Sequence, residues 1–198
     1  MRVVGGRLKR RPLQAPEGSE VRPTSDRARE SVFNILAHRP ERPLDGARVL
    51  DAFAGSGALG IEALSRGAAH CTFLETLPAA LAAIRANVGR LGLAGQSTVL
   101  RADALHPGPA PSGATLPAGL AVLDPPYRSG LAAPALQALQ AQGWLADGAL
   151  VTVEIGATED LAPVAGFEIL DERRYGAAKL LLLRAPGDAG PPPLSSMT

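Results

Sequence analysis

The sequence predicts an α/β fold in which a mostly parallel sheet is covered by helices on both faces. Three observations support this prediction. Strand-like and helix-like segments alternate from residue 48 onward, a glycine-rich loop follows the first strand, and the last strands have the pattern of an antiparallel hairpin. Such alternation, with apolar and β-branched strands, is typical of right-handed βαβ units. We therefore expect a Rossmann-like sheet.

The predicted strands and helices take turns with little connecting chain. The first helix of the alternating region is stopped by Gly67, and the second has Pro78 at its first position. A third helix is predicted over 131–142, whereas 106–119 is too rich in proline and glycine for a helix and predicts a loop. The seven predicted strands are RVLDAF, HCTFLE, TVLRAD, LAVLD, ALVTVEI, FEILDE and KLLLLR.

Three segments are expected along the chain. Residues 1–38 form a basic extension, which we predict as a short exposed hairpin followed by an amphipathic helix with Thr24 or Ser25 as its N-cap. Residues 39–184 carry the sheet. Residues 185–198 lack a core-forming pattern and are predicted to be disordered.

The charge is unevenly distributed. Residues 1–48 hold eleven Arg and Lys and six Asp and Glu, a net charge of +5, whereas residues 49–198 have nine and thirteen, a net charge of −4. A basic arm on a slightly acidic body suggests that the arm contacts a polyanion. A solvated surface is the alternative, since eighteen of the twenty basic residues are Arg, a bias that genome composition can produce.

Cysteine and histidine usage excludes some classes of site. Cys71 is the single cysteine, so the chain cannot form an intrachain disulfide, and the three histidines show no zinc-ligand spacing. We expect no metal. The N-terminus lacks the apolar stretch of a signal peptide, and the uncharged runs are interrupted by Pro, Gly or Gln. A soluble, cytoplasmic protein without a membrane segment is expected.

The loop DAFAGSGALG predicts an adenine-bearing cofactor. It places Gly55 and Gly57 directly after the first strand in a GxGxxG pattern, which allows close backbone approach to a ligand. Glu75 ends the second strand eighteen residues beyond Gly57, where a carboxylate would accept hydrogen bonds from ribose hydroxyls. These features fit NAD and S-adenosylmethionine (SAM) equally well.

Asp51 favours SAM over NAD. An NAD site brings pyrophosphate to the helix N-terminus, and a carboxylate just before the glycines would repel it. SAM has no phosphate and carries an ammonium and a sulfonium, so Asp51 could hold the positive methionine end. The alternative for Asp51 is a structural role at the end of the strand.

The motif LAVLDPPYRSG predicts a second part of the same site. Two prolines after a buried parallel strand cannot donate ladder hydrogen bonds, so the chain must leave the sheet at Asp124. We expect this strand beside the first one, which would put Asp124 to Tyr127 across a crevice from the glycine loop. A simple strand stop with a surface tyrosine is the alternative.

These motifs resemble a known family. Asp51-Ala-Phe53-Ala-Gly55-Ser-Gly57 with DPPY at 124–127 is similar to the class I SAM-dependent methyltransferases that act on exocyclic amines of bases. RPTSDRARESVFNIL, GSGALGIEALSRGA and GWLADGALVTVE resemble the bacterial 16S ribosomal RNA guanine-N2 methyltransferases that modify guanine 966. The resemblance implies a seven-stranded class I fold, the product S-adenosylhomocysteine, and a monomer that meets 16S RNA during small-subunit assembly.

The resemblance also implies roles for individual residues. Asp124 would accept a hydrogen bond from the guanine amine and later take its proton, with the Pro125 carbonyl as second acceptor; Pro126 would stiffen the turn and Tyr127 would stack on an extruded base. The implied cofactor-binding residues are Asp51, Phe53, Gly55, Gly57, Glu75, Asp103, Ala104 and Thr24. The implied RNA phosphate contacts are Arg2, Arg7, Lys9, Arg10, Arg11 and Arg22.

Three alternatives remain open at this point. An adenine-N6 DNA or RNA methyltransferase would use the same DPPY chemistry, so the motif does not choose the base. An NAD-dependent oxidoreductase would use the glycine loop for a different reaction. A non-catalytic RNA-binding module would use only the basic arm.

Overall fold

The structure, a computed structural model, describes residues 1–17 and 26–187. The helices are α1 (Asp26–Ala37), α2 (Ala58–Ser65), α3 (Pro78–Arg90) and α4 (Ala132–Ala141). The strands are β1 (Arg48–Ala52), β2 (His70–Glu75), β3 (Ser97–Arg101), β4 (Ala118–Leu123), β5 (Leu145–Gly156), β6 (Glu168–Tyr175) and β7 (Ala178–Arg184).

All seven strands form one sheet in the order β3-β2-β1-β4-β5-β7-β6. β1 pairs in parallel with both β2 and β4, so the strand order reverses between β1 and β4, as predicted. β7 lies antiparallel between β5 and β6 and forms the predicted closing hairpin with β6. The predicted fold, a mostly parallel seven-stranded sheet, is confirmed.

The two faces of the sheet bury separate apolar clusters. Alternation along β1 sends Val49 to one face and Leu50 to the other. On the first face Val49 packs in a cluster with Phe33 of α1 and Ile61 of α2, while Leu136 of α4 packs with Leu50 on the second. Helices therefore cover both faces because both sides of each central strand are apolar.

The N-terminal segment reverses direction as predicted but does not form regular strands. A 3₁₀ turn spans Gly6–Leu8, and a single bridge joins Arg2 to Pro12. The prediction of an exposed hairpin is wrong for its apolar residues, since Val3 and Leu13 are buried. They enter the same cluster as α1, α2 and β1, so the extension packs as part of the main core.

Side chains of α2 and α3 supplement the few backbone hydrogen bonds that join residues 1–3 to residues 10–13. The backbone N–H of Val4 donates to Oε2 of Glu62 at 2.8 Å, and that of Leu8 donates to Oγ of Ser65 at 2.9 Å. Asn87 of α3 accepts from the N–H of Gln14 and donates to its carbonyl oxygen. Backbone groups that would otherwise need a partner strand are thus satisfied by buried polar side chains.

β6 lies at one edge of the sheet and is rich in charge. Arg173 lies 3.0 Å from Asp171, and Arg174 lies 3.7 Å from Glu172.

None of the helices in the described parts of the chain is long and apolar enough to cross a membrane. The predicted disordered tail begins at residue 185; the structure describes its first three residues, of which Ala185 is buried, and the rest of the tail lies outside the described residues.

Candidate active site

The strand register brings the carboxyl ends of β1, β2 and β4 level with Glu154, which lies two residues before the end of β5. Ala52 of β1 pairs with both Leu74 of β2 and Leu123 of β4, and Leu123 pairs with Val153 of β5. The next residue of each strand therefore lies in one row at the edge where parallel α/β sheets bind ligands. The residues of this row are Phe53, Glu75, Asp124 and Glu154.

A cavity of about 1460 Å³ opens at this row. Its volume exceeds the roughly 300–1,000 Å³ of a typical small-molecule site, which leaves room for two ligands. Both halves of the site predicted from the sequence, the glycine loop and the DPPY segment, line it. The predicted residues that it brings together are Phe53, Gly55, Glu75, Asp103, Ala104, Asp124, Pro125, Pro126 and Tyr127.

The glycine loop has the backbone conformation that its sequence requires. Gly55 and Gly57 have φ angles of 55° and 77°, in the left-handed region that favours glycine. Phe53 also has a positive φ, 61°, which is uncommon for an aromatic residue; strained positions of this kind cluster at active sites and ligand-binding turns. A Cβ on Gly60 would meet the ring of Phe73, so the third glycine lets α2 approach β2 closely.

Glu75 is held by three backbone N–H groups. Gly55 N–H donates to Oε2 at 2.8 Å, and the N–H groups of Thr76 and Leu77 donate to Oε1 at 2.7 and 2.9 Å. This fixes the carboxylate at the end of β2 and joins it to the glycine loop. A carboxylate has about four acceptor positions, so these three bonds leave about one, on Oε2, for a ligand hydroxyl.

Asp51 lies below the glycine loop. Its side chain is buried, and Oδ2 accepts the N–H of Gly60 at 2.8 Å. Burial raises the pKa of this carboxyl well above its usual range; the hydrogen bond from Gly60 opposes the shift, and the charges of Asp124 and Glu75 add to it. Asp51, like Gly57, is not among the residues that line the cavity.

Asp103 and Ala104 lie beyond the end of β3, on the far side of β2 from the DPPY segment. Oδ1 of Asp103 accepts the N–H of Leu105 at 2.9 Å, and Oδ2 lies 3.4 Å from Nδ1 of His106. Along this edge of the sheet, the residues that follow β4, β1, β2 and β3 are therefore ordered Asp124, Phe53, Glu75 and Asp103. This order suits an elongated ligand that crosses β1 and β2.

The DPPY segment leads the chain away from β4 toward β5. The Tyr127 ring lines the cavity, 36% exposed, and its hydroxyl donates to Oε1 of Glu154 at 2.6 Å. Glu154 was not predicted from the sequence, although a carboxyl within the apolar strand ALVTVEI was a signal that could have identified it. It is 5% exposed and lines the same cavity.

The environment of Glu154 joins three elements. Burial raises the pKa of this carboxyl to about 7, and the negative charge of Asp124 adds to the shift. The hydrogen bond from Tyr127 and the positive charge of Arg29 oppose it. Arg29 of α1 is fully buried and donates to the Arg2 carbonyl oxygen at 2.7 Å and to Oδ1 of Asp26 at 2.6 Å. Because Arg29 belongs to the basic extension, the charge of the extension acts on a carboxyl that lines the cavity.

The predicted RNA-binding cations of the described arm are all exposed. Arg2 lies 3.3 Å from Asp26, and Arg7 donates to the side chain of Gln96 at 2.6 Å. Arg22, predicted to contact RNA, and Thr24, predicted to contact the cofactor, lie outside the described residues. The exposed cations are Arg2, Arg7, Lys9, Arg10 and Arg11. Within 1–17 and 26–187, no group of three or more His, Cys, Asp and Glu side chains is arranged to hold a metal ion.

Comparisons with known proteins point to one family. The model of the family described as conserved hypothetical protein 95 matches residues 1–184. The ribosomal RNA small subunit methyltransferase D of Escherichia coli is 41% identical over 154 residues, which cover 78% of this chain and 74% of that one.

Solved structures show the same fold. The Escherichia coli protein yhhF aligns with a TM-score of 0.78 and 36% identity over 94% of this chain and 98% of that one. An RNA methyltransferase from Salinibacter ruber, in complex with S-adenosylhomocysteine, aligns with a TM-score of 0.55 and 16% identity over 82% of this chain and 95% of that one, a likeness of fold alone. The chain therefore belongs to the conserved hypothetical protein 95 family, as its match over residues 1–184 shows, and is a methyltransferase with the class I fold.

Proposed function

We propose that the protein transfers a methyl group from SAM to the exocyclic N2 amine of a guanine in 16S ribosomal RNA, the guanine numbered 966. The observation that carries this proposal is the single cavity lined by both the glycine loop and Asp124 to Tyr127. The relative from Escherichia coli, named as a ribosomal RNA small subunit methyltransferase, supports RNA as the substrate.

The row of residues at the sheet edge fits the parts of SAM. Glu75, oriented by three N–H groups, would accept a hydrogen bond from the ribose. Asp103 and the buried Ala104 would hold the adenine beyond β3, and Phe53 and Gly55 would let the methionine part pass close to the backbone. When bound, SAM supplies a methyl group on a positively charged sulfur, which becomes the neutral thioether of S-adenosylhomocysteine.

The Asp51 carboxylate would attract the positively charged methionine amine from its buried position beneath the glycine loop. A bound ammonium favours the ionised carboxylate that burial disfavours. The hydrogen bond from Gly60 keeps the carboxylate in place under the loop. Thr24 is proposed as a contact of the methionine carboxylate.

Asp124 and the Pro125 carbonyl would activate the guanine amine. The lone pair of this nitrogen is delocalised into the ring, and two acceptors on its N–H groups favour a pyramidal nitrogen whose lone pair can attack. Asp124 is too weak a base to remove a proton beforehand. It takes the proton from N2 once the nitrogen has become positively charged, so the product amine is neutral.

Tyr127 would hold the target base. A paired base cannot reach the cavity, so it must be unpaired or extruded, at a cost of a few kcal/mol. Stacking on an aromatic ring offsets about 1–3 kcal/mol of that cost. The hydrogen bond to Glu154 fixes the orientation of the Tyr127 ring before the base arrives.

The basic arm would bind the RNA backbone. Its exposed cations can neutralise phosphates, and binding should weaken with salt because counterions are released. These contacts position the RNA without reading its sequence. We propose 16S RNA within small-subunit assembly as the partner, and a monomeric, cytoplasmic enzyme that needs no metal.

The variant Asp124→Ala tests the proposal. We expect labelling of 16S RNA from methyl-tritiated SAM to be lost while RNA affinity is kept, because the arm is unchanged. A non-catalytic RNA-binding protein would show no labelling with either chain. Calorimetric titration adds a second check: tight NADH binding with no SAM binding would contradict the proposal.

The product identifies the base. Mass spectrometry of 16S RNA from a strain lacking the gene should show one guanine without its N2 methyl group. A missing methyl group on adenine N6 would instead assign the adenine-N6 activity, which uses the same DPPY chemistry.

A further inference from the structure

Two carboxyl groups lie side by side in the cavity, and the proposed chemistry uses only one of them. Asp124 follows β4 and Glu154 belongs to β5, and the two positions are level because Leu123 pairs with Val153. Both side chains line the cavity. The side chain of Glu154 is 5% exposed and lies within an apolar strand. A buried ionised carboxylate destabilises the fold unless a charged or hydrogen-bonding partner compensates it.

The groups that face Glu154 are Tyr127, Arg29 and Asp124. The Tyr127 hydroxyl donates to Oε1, while Arg29 from α1 and Asp124 from β4 act through their charges. An ionised carboxylate can accept about four hydrogen bonds, and the hydroxyl accounts for one. A ligand that brings a further N–H donor would therefore complement this carboxyl.

We infer that Glu154 is a specificity-determining residue that accepts the N1–H of the target guanine, next to Asp124 on the N2 amine. The inference rests on the proposed function. Guanine carries adjacent donors at N1 and N2, which match two adjacent carboxylates. Adenine has its amine beside an N1 that is an acceptor, so its N1 lone pair would face an ionised carboxylate. Glu154 therefore selects guanine where the DPPY motif alone does not.

The electrostatics are consistent with this role. Burial raises the pKa of Glu154 to about 7, so a hydrogen-bonding partner can change its protonation state near neutral pH. A guanine N1–H donor stabilises the ionised form, as Arg29 and the Tyr127 hydroxyl do. At a pH above 7, a base with a lone pair at N1 must bind the protonated minority of Glu154, which lowers its rate about tenfold for each pH unit.

The test uses RNA fragments in which the target base is replaced by an analogue. 2-Aminopurine keeps the amine at C2 but lacks O6 and has a lone pair in place of N1–H; 6-thioguanine keeps N1–H and alters only the C6 substituent. With the parent enzyme at pH 8, where a carboxyl of pKa about 7 is mostly ionised, we expect kcat/KM for the 2-aminopurine fragment to fall about tenfold relative to guanine, because Glu154 must first take up a proton to donate to the N1 lone pair. The 6-thioguanine fragment should stay close to guanine.

Three variants assign the effect to Glu154. Glu154→Gln can donate to a lone pair at N1, so its preference for guanine over 2-aminopurine should shrink to within about threefold. Tyr127→Phe keeps the ring and should keep the parent preference. If Glu154 only positioned Tyr127, both variants would lose the preference alike. Glu159→Gln is the matched control: Oε1 of Glu159 accepts the N–H groups of Arg128 and Gly156 at 2.7 and 2.9 Å, a glutamine oxygen can accept both, and the variant should behave as the parent does.

The outcomes separate the inference from the proposed function. Equal kcat/KM of the parent enzyme for guanine and 2-aminopurine fragments overturns the inference and leaves guanine methylation standing. If the guanine fragment is not labelled, the analogues are compared in reconstituted small subunits, and absence of labelling there as well overturns both. If Glu154→Gln does not fold, as judged by circular dichroism, the parent enzyme still decides: its preference for guanine over 2-aminopurine should rise as the pH passes about 7, and a preference that does not change with pH overturns the inference.

Discussion

Glu154 links the stability of the protein to pH at the scale of a single residue. Its pKa is about 7 in the folded protein, against 4.5 for an ordinary glutamate, because burial disfavours the charged form. The folded chain therefore holds the proton more tightly than the unfolded chain does. The resulting contribution to stability is complete below about pH 4.5 and is lost as the pH rises through about 7.

The variant Glu154→Gln should remove this pH dependence. We expect the free energy of unfolding of the parent to fall between pH 5 and pH 8 and that of the variant to fall less, as measured by urea denaturation at both values. Asp51, whose pKa is also raised, keeps part of the slope in both chains. Glu159→Gln should show the parent slope; an identical slope in Glu154→Gln would contradict the assigned pKa.

Motifs that are continuous in the sequence were predictable at this scale. The glycine loop and the DPPY segment carry their own backbone constraints, so Gly55, Glu75 and Tyr127 were identified from local pattern. Glu154 and Arg29 were not, because their importance depends on the register of β5 against β4 and on where α1 packs. Burial of Asp51 under the loop was likewise a property of the folded sheet.

At the scale of elements, the contact between α2 and β2 depends on one missing side chain. A Cβ at Gly60 would meet the Phe73 ring and the Cys71 sulfur. Because both lie on a central strand, the contact cannot be relieved without moving α2. The glycine loop begins this helix, so its position also sets the geometry of the cofactor site.

The variant Gly60→Ala should therefore destabilise the protein by about 1–3 kcal/mol, as expected of overpacking. Gly89→Ala is the matched control: Gly89 lies in α3 with no atom within 4 Å of an added Cβ, and alanine should stabilise that helix by about 0.5–1 kcal/mol. Urea midpoints measure both. Equal midpoints for the two variants would contradict the close contact.

The strands and helices of the sheet were predicted well because their apolar period is strong. The N-terminal segment was not, since Val3 and Leu13 alone do not reveal burial. Its backbone groups are satisfied by Glu62, Ser65 and Asn87 from other helices, and such long-range partners leave no local pattern.

At the scale of the whole molecule, the extension is both part of the core and the proposed RNA-binding arm. Deletion of residues 1–13 should lower the melting temperature as well as RNA affinity, because burial of an aliphatic side chain such as Val3 or Leu13 contributes about 1.5–3 kcal/mol. Thermal unfolding followed by circular dichroism measures the first effect. An unchanged melting temperature would mean that the extension is an independent appendage.

Charge neutralisation in the arm separates its two roles. Lys9→Gln and Arg11→Gln alter exposed side chains and should leave the melting temperature unchanged. For each phosphate that no longer meets a cation, the slope of log affinity against log salt should become shallower by about 0.7–0.9. Arg184→Gln is the control, because Arg184 is level with Leu150 near the opposite edge of the sheet. A parent-like salt slope in both arm variants would remove the arm from the RNA interface.

The charged strand β6 also affects how copies of the molecule meet in concentrated solution. Its outer border exposes unpaired backbone groups, a template on which another chain could add a strand. Doing so would require the four charges from Asp171 to Arg174 to lose part of their hydration. The cost of removing water from these charges disfavours the addition of a further strand at β6 and so disfavours edge-to-edge aggregation.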